Sequence, residues 1–406
     1  MATFDPIESL ANMRHEFGEH GGVNMSIEAS STFTVMDADI MPEIFQGHRG
    51  PDKGCYLYGR HFNPTVYVLG KQVAALEGAE AGYCTASGMS AIAAAIMQLC
   101  QAGDHIVSSN TIYGGTFALL KNYLPDKMGL KVTFVPPWNL KSVEAAITSQ
   151  TKALYVETIA NPTLRVADIP KLAALARAKG IKLIVDNTFS PLMVAPIVHG
   201  ADIVVHSLTK FMNGASDIIA GAIVGTTPFI MSLMDLKHGS LMLLGPTMDP
   251  KVAYNISLRL PHLGIRMIEH SRRALLFAQR LRDLKLKVIY PGLEEHPDHE
   301  VMKRIGHPEY GFGGLFGLDV GDARRANTLM EILQNKDRFG FMAVSLGYFD
   351  TLMSCSASTT SSELDPTDLE EAAISSGYIR FSLGYTGSVE QRWQQFKDAL
   401  KILNLI

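Results

Sequence analysis

The stretch VVHSLTKFMNG, residues 204–214, opens as a buried strand and closes with a lysine set among hydroxyls. Lys210 arrives at the strand tip beside Ser207 and Thr209, with no acid next to it. Such a lysine is ordinarily a solvated strand end. The sharper reading is an amine that must be neutral to attack a carbonyl, its pKa lowered by burial. The surrounding strands decide between the two.

Outward from this stretch, HIVSS (105–109), KVTFVPP (131–137), ALYVET (153–158), KLIVDNT (182–188), DIVVHS (202–207) and GAIVG (221–225) are candidate strands. Runs such as DIPKLAALARAKG (168–180) lie between them, with apolar residues at helical spacing. The alternation predicts an α/β fold built on a mainly parallel sheet covered on both faces by helices. Residues 81–103, AGYCTASGMSAIAAAIMQLCQAG, carry no charge. Their apolar part is too short to cross a bilayer, and they read as a buried core helix.

Up to about residue 65 the chain is rich in Gly, Pro and polar residues and shows no period. In the last third, RRALLFAQRLRDL (272–284) and VEQRWQQFKDALKIL (389–403) predict amphipathic helices. GGLFGLDV (313–320) and YIRFSLGY (378–385) predict strands. The expected organisation is an N-terminal arm over residues 1–64, an α/β domain over 65–255 and a smaller α+β domain over 256–406.

Composition narrows the function classes. The 406 residues are 47% hydrophobic and 19% charged, with a net charge of −4. That is an ordinary globular balance, with no basic excess to hold nucleic acid or an acidic membrane surface. Four scattered cysteines (Cys55, Cys84, Cys100, Cys355) form no CxxC pair, which argues against structural zinc or a disulfide framework and for a reducing compartment. The N-terminus lacks the basic-then-apolar order of a secretory signal, so the cytoplasm is the expected location.

In open parallel α/β sheets, ligands sit beyond the carboxyl ends of the strands. Three such ends are chemically loaded: YVETIANPT brings Glu157 and Asn161, LIVDNTF brings Asp186 and Asn187, and VVHSLTK brings Ser207, Thr209 and Lys210. A fourth element, YCTASGMSAIAAAIMQLC, sets Ser87, Gly88, Met89 and Ser90 before a helical stretch. Its first amides and the helix dipole suit an anion. Neither GxxxxGK[ST] nor GxGxxG occurs, so a nucleotide is not the natural occupant. An anion cradle, an isolated carboxylate and a reactive lysine are together what pyridoxal 5'-phosphate requires.

With those residues in hand, VVHSLTKFMNGASDIIAGAIVG resembles the lysine segment of the Cys/Met-metabolism family of pyridoxal-phosphate enzymes, which includes cystathionine γ-synthases, cystathionine γ-lyases and methionine γ-lyases. The likeness continues through YGRHFNPT (58–65), SGMSAI (87–92), IYGGTFALL (112–120), ETIANPT (157–163), VDNTF (185–189), VSLGYFDTL (344–352) and YIRFSLG (378–384). MRHEFGEHGGVNMSIEASSTFTVM (13–36), GSLMLLGPTM (239–248) and FGFMAVSLGY (339–348) resemble the plant-type methionine γ-lyases in particular.

The resemblance implies an aminotransferase-like (fold type I) α/β architecture with a seven-stranded sheet. It implies α,γ-elimination from a γ-substituted amino acid such as methionine, with transfer to a thiol as the alternative outcome. Lys210 would hold the cofactor and move protons, and Asp186 would pair with the pyridine nitrogen. Tyr113 would stack on the ring and serve proton transfer at the leaving group. Gly88, Met89, Ser207 and Thr209 would take the phosphate, joined by Tyr58 and Arg60 from a neighbouring subunit. Arg380, helped by Asn161 and Ser345, would clamp the substrate carboxylate. A homo-oligomer follows, with a dimer of dimers as the usual assembly in the family.

Three departures leave substrate choice open. Gly115 stands where bacterial methionine γ-lyases carry a cysteine, DLKHGS (235–240) replaces a Lys-Asp pair, and SCSASTTSSEL (354–364) replaces a Pro-Ala-x-x-Thr-His run. The acid and histidine cluster EEHPDHE (294–300) could suggest a metal site, but Pro297 breaks its spacing and it reads as a solvated loop.

Overall fold

The structure, a computed structural model, describes residues 4–355 and 375–406; most of the 354–364 stretch lies outside them. Seven strands make the main sheet: β1 (Ala81–Thr85), β2 (His105–Ser109), β3 (Lys131–Val135), β4 (Thr151–Glu157), β5 (Lys182–Asp186), β6 (Ile203–His206) and β7 (Gly221–Gly225). Their order is β1-β7-β6-β5-β4-β2-β3. The run from β3 to β6 is parallel, while β7 is antiparallel to both β6 and β1.

Side chains along these strands alternate between two separate cores, as the period of two requires. Val107, Leu154, Val156, Leu183, Val185, Val204 and Val224 join one, together with residues of the helices Pro64–Glu77 and Ile169–Lys179. Ile106, Ala153, Tyr155, Ile184, Ile203, Val205 and Ile223 join the other, packed with the helix Gly88–Leu99. A sheet buried on both faces needs apolar residues at every position, which is why its strands read as continuous runs.

Residues 81–103 are not one buried helix, as the sequence suggested. Ala81–Thr85 form β1, and the helix starts at Gly88. AGYCT has little β-branched density of its own; pairing with β7 along five registered positions makes it a strand. Helix Pro64–Glu77 also presses on it backbone to backbone, since a Cβ on Gly82 would lie 2.5 Å from the Gly70 carbonyl oxygen. No helix among the described residues is long and apolar enough to cross a membrane.

A second sheet, in the order β10-β11-β12-β9-β8, comprises β8 (Lys287–Ile289), β9 (Leu315–Asp319), β10 (Gly340–Met342), β11 (Thr351–Cys355) and β12 (Tyr378–Ser382). It packs an aromatic core, with Phe316 and Phe381 against Phe277 of the helix Leu263–Asp283 and Phe396 of the helix Val389–Ile402. Each such ring contributes about 1.5–3 kcal/mol through burial. Because Ile379 and Phe381 face this core, the alternation of β12 sends Arg380 to the opposite face, toward the main sheet.

The cluster EEHPDHE is a loop leading into a helix, with Glu294, Glu295, Pro297 and Glu300 exposed, but it is not wholly solvated. His296 and Asp298 are buried. Asp298 accepts Arg165 Nε at 2.6 Å, Arg165 Nη2 at 3.1 Å and the Val166 N–H at 2.9 Å, and the Arg165 guanidinium lies 3.7 Å from the Trp138 ring centre. Its acid is therefore spent on pinning the loop after β4. A charge-rich string looked exposed because its counter-ion is distant in the chain.

Candidate active site

A cavity of about 470 Å³ opens at the carboxyl ends of β4, β5 and β6. Of the residues expected at the site, Gly88, Met89, Tyr113, Asn161, Asp186, Ser207, Thr209, Lys210, Ser345 and Arg380 all line it. Tyr58 and Arg60 are not among its lining residues. Tyr58 is 46% exposed, while Arg60 donates Nη1 to the Met242 carbonyl at 2.6 Å and sits 5.6 Å from the Tyr58 ring centre.

Lys210 lies in the turns that follow β6, and its Nζ donates to the Ser345 hydroxyl at 3.1 Å. Burial, and secondarily the positive charge of Arg380, lower its pKa to about 8. This answers the question raised by its lack of an acidic neighbour: a nearby carboxylate would hold the amine protonated, whereas burial and a second cation release the proton.

Asp186 ends β5 and is 7% exposed. Oδ1 accepts the Thr188 N–H at 2.9 Å, and Oδ2 accepts the Tyr155 hydroxyl at 3.3 Å. Burial raises its pKa, offset in part by these donors. Behind it, Glu77 Oε1 receives Asn187 Nδ2 and pairs with His206 Nε2, both at 2.7 Å. That buried network ties the ends of β5 and β6 together.

The helix Gly88–Leu99 points its first turn into the cavity. A capping box sets its start: Ser87 Oγ accepts the Ser90 N–H, and Ser90 Oγ accepts the Ser87 N–H, each at 3.1 Å. Amides at the first helical positions have no partner within the helix and are left for an anion. Gly88 permits a close approach to the β6 turn, because a Cβ there would fall 2.7 Å from Ser207 Cβ. Thr209 Oγ1 bonds both the carbonyl and the amide of Ala220, which orients it on the same rim.

On the opposite wall, Arg380 is 2% exposed and has its pKa lowered to about 10 by burial, so it remains a cation at neutral pH. Nη1 donates to Asn161 Oδ1 at 2.9 Å and Nη2 to the Ser345 carbonyl at 2.8 Å. Nε has no hydrogen-bond partner among the described residues. A buried cation with spare donor capacity beside a cavity is a site for a carboxylate.

Sequence reasoning named Glu157 as a loaded strand end but assigned it no role. It is buried and lines the cavity, accepting the Tyr113 N–H at 2.6 Å and the Asn161 N–H at 2.9 Å. Burial first, and then the adjacent Asp186 charge, raise its pKa.

The model of the family described as Cys/Met metabolism PLP-dependent enzyme matches residues 9–401. The chain belongs to this family. A methionine gamma-lyase of Arabidopsis thaliana is 56% identical over 97% of this chain and 90% of its own length. An L-methionine gamma-lyase of Fusobacterium nucleatum subsp. polymorphum is 37% identical over 90% of both chains. Among solved structures, cystathionine gamma synthase from Xanthomonas oryzae pv. oryzae superposes with a TM-score of 0.88 at 28% identity, covering 100% of each chain. A Campylobacter jejuni chain that carries N'-pyridoxyl-lysine-5'-monophosphate gives a TM-score of 0.88 at 27% identity, over 98% of this chain and 100% of that one.

The protein is thus an enzyme of the fold type I class, and pyridoxal phosphate is its cofactor. The cavity suits that molecule: helix amides and hydroxyls on one side, a buried carboxylate at the floor and a lysine of lowered pKa between them.

Proposed function

We propose that the enzyme catalyses α,γ-elimination of L-methionine, with water, to methanethiol, 2-oxobutyrate and ammonia. The observation that carries this is the shared lining of one cavity by Lys210, Asp186, Tyr113 and Arg380, in a chain 56% identical to a methionine gamma-lyase.

When bound, pyridoxal phosphate supplies an electron sink that lowers the cost of removing a proton from the amino-bearing carbon and then from its neighbour. Lys210 would hold the cofactor, and its amine, when neutral, would take the proton from the substrate Cα and serve again at Cβ. Asp186 would pair with the pyridine nitrogen and keep it protonated. Gly88, Met89, Ser207 and Thr209, which line the cavity, would hold the phosphate. Tyr113, which lines the same cavity, would stack on the cofactor ring and deliver a proton to the departing sulfur. Arg380 binds the substrate carboxylate through its fork, held in plane by Asn161 and the Ser345 carbonyl.

Tyr58 and Arg60 are assigned to the phosphate of a second copy, since they stand outside their own cavity. The working unit is then a homodimer or a dimer of dimers. Four scattered cysteines with no CxxC pair support a cytoplasmic location.

A substrate panel of methionine, homocysteine, cystathionine, canavanine and an O-acylhomoserine, with product identification, tests the assignment. Methanethiol and 2-oxobutyrate from methionine are expected. Turnover of an O-acylhomoserine with a thiol, and none of methionine, would move the enzyme to γ-replacement. For the shared site, mixing Lys210→Ala with Arg60→Ala oligomers under exchange conditions is expected to restore part of the activity that each lacks; no recovery would remove the cross-subunit role.

A further inference from the structure

Glu157 closes β4, and both oxygens of its carboxylate are engaged by backbone amides of two separate segments that line the cavity. Oε1 takes the N–H of Tyr113, in the turn after β2, and Oε2 takes the N–H of Asn161, in the loop after β4. The sheet does not join these segments, because the β2–β4 ladder ends at Ser108 opposite Tyr155. Tyr113 is the N-cap of the helix Gly114–Ala118, and its own side chain does not cap that helix. The Glu157 side chain therefore ties one segment to the other.

We propose that Glu157 is a positioning residue, holding Tyr113 and the Asn161–Arg380 pair at a fixed separation so that both address one substrate. The inference rests on the proposed roles of Tyr113 and Arg380 and gives the enzyme a further residue on which they depend. Two buried amides require two acceptors within one side chain of this reach. A carboxyl group supplies them, whereas the amide of glutamine supplies one acceptor and one donor. The arrangement is kept although Glu157 stands directly opposite Asp186 in the β4–β5 register, where two buried acids repel. A side chain that only filled space would serve better there uncharged.

The test uses holoenzyme carrying Glu157→Gln, Tyr113→Phe and both together. Glu157→Gln turns a donor toward one of the two amides while relieving Asp186 of a like charge. Cofactor retention is therefore expected to be equal or tighter, whereas kcat falls by about tenfold or more, within the range a displaced proton-transfer group loses. The visible circular dichroism of the bound cofactor changes with it. If Glu157 acts through Tyr113, the double variant falls no more than about threefold below Tyr113→Phe alone.

A kcat of Glu157→Gln within about twofold of wild type, or losses that multiply in full, overturns the proposal. Weakened cofactor binding in parallel with lost activity also overturns it, as a general structural role would do that. Should Glu157→Gln not yield folded holoenzyme, Glu157→Asp, whose two acceptors are set back by one methylene, is read against the same thresholds. If Tyr113→Phe itself turns over substrate at full rate, the reading of Tyr113 fails, while the dichroism of Glu157→Gln still judges the clamp.

Discussion

Apoenzyme should capture pyridoxal phosphate with a pH dependence set by the buried environment of Lys210. The amine has a pKa of about 8 instead of 10.5, with burial the larger cause and Arg380 the second. At pH 7 an ordinary lysine is neutral in roughly 0.03% of molecules, while a pKa of about 8 leaves roughly 10% neutral, a gain of about 300-fold in reactive amine. The second-order rate of capture, followed by the visible band of the bound cofactor, is expected to rise about tenfold per pH unit below 8 and to level above it. A free primary amine measured in parallel removes the ionisation of the cofactor itself from the comparison. Arg380→Gln deletes the second cause but not the first, so the midpoint moves upward yet stays below that of free lysine. A rate that climbs without a break through pH 10, or a midpoint unmoved by Arg380→Gln, would refute the reasoning.

Arg380→Lys keeps the cation but loses the planar fork between Asn161 and Ser345. Losing one or two charge-assisted hydrogen bonds of about 1.5–3 kcal/mol each predicts a fall in kcat/KM of about ten- to a thousandfold or more, carried mainly by KM in steady-state assays. Asp186→Asn retains an acceptor for the Thr188 N–H but not the charge, so kcat should drop by about a hundredfold or more while a folded holoenzyme remains by dichroism. Asp298→Ala strips Arg165 and the Val166 N–H of their acceptor. Breaking a buried pair costs about 3–5 kcal/mol, and the partly solvated Arg165 brings the expectation to about 2–3 kcal/mol. Urea denaturation of the holoenzyme should show that loss, and an unchanged midpoint would return the cluster to the surface.

The chemistry was legible in the chain because cofactor enzymes place their reacting groups at strand ends, and strand ends can be found from short apolar runs. Lys210, Asp186 and Asn161 each follow such a run within a few residues, so locating the sheet located them. Arg380 carried a signal through the family resemblance, and the structure supplies the physical reason for its placement: β12 alternates, and a lone cation between Ile379 and Phe381 faces away from their core. Tyr58 and Arg60 carried a signal through family resemblance alone. Their surroundings within one chain point away from its own cavity.

By itself the amino-acid sequence determined the parallel αβ alternation and which polar and charged groups stand at the strand ends. These depend on local period, which acts over a few residues. Tertiary structure alone decided that AGYCT is a strand, that Asp298 is an interior anchor for Arg165, and that the carboxylate of Glu157 spans two segments lining one cavity. Each of those results from groups far apart in the chain meeting with their hydrogen-bonding capacity unmet, and the free energy of a buried donor or acceptor belongs to the pair, so neither partner's local sequence announces it.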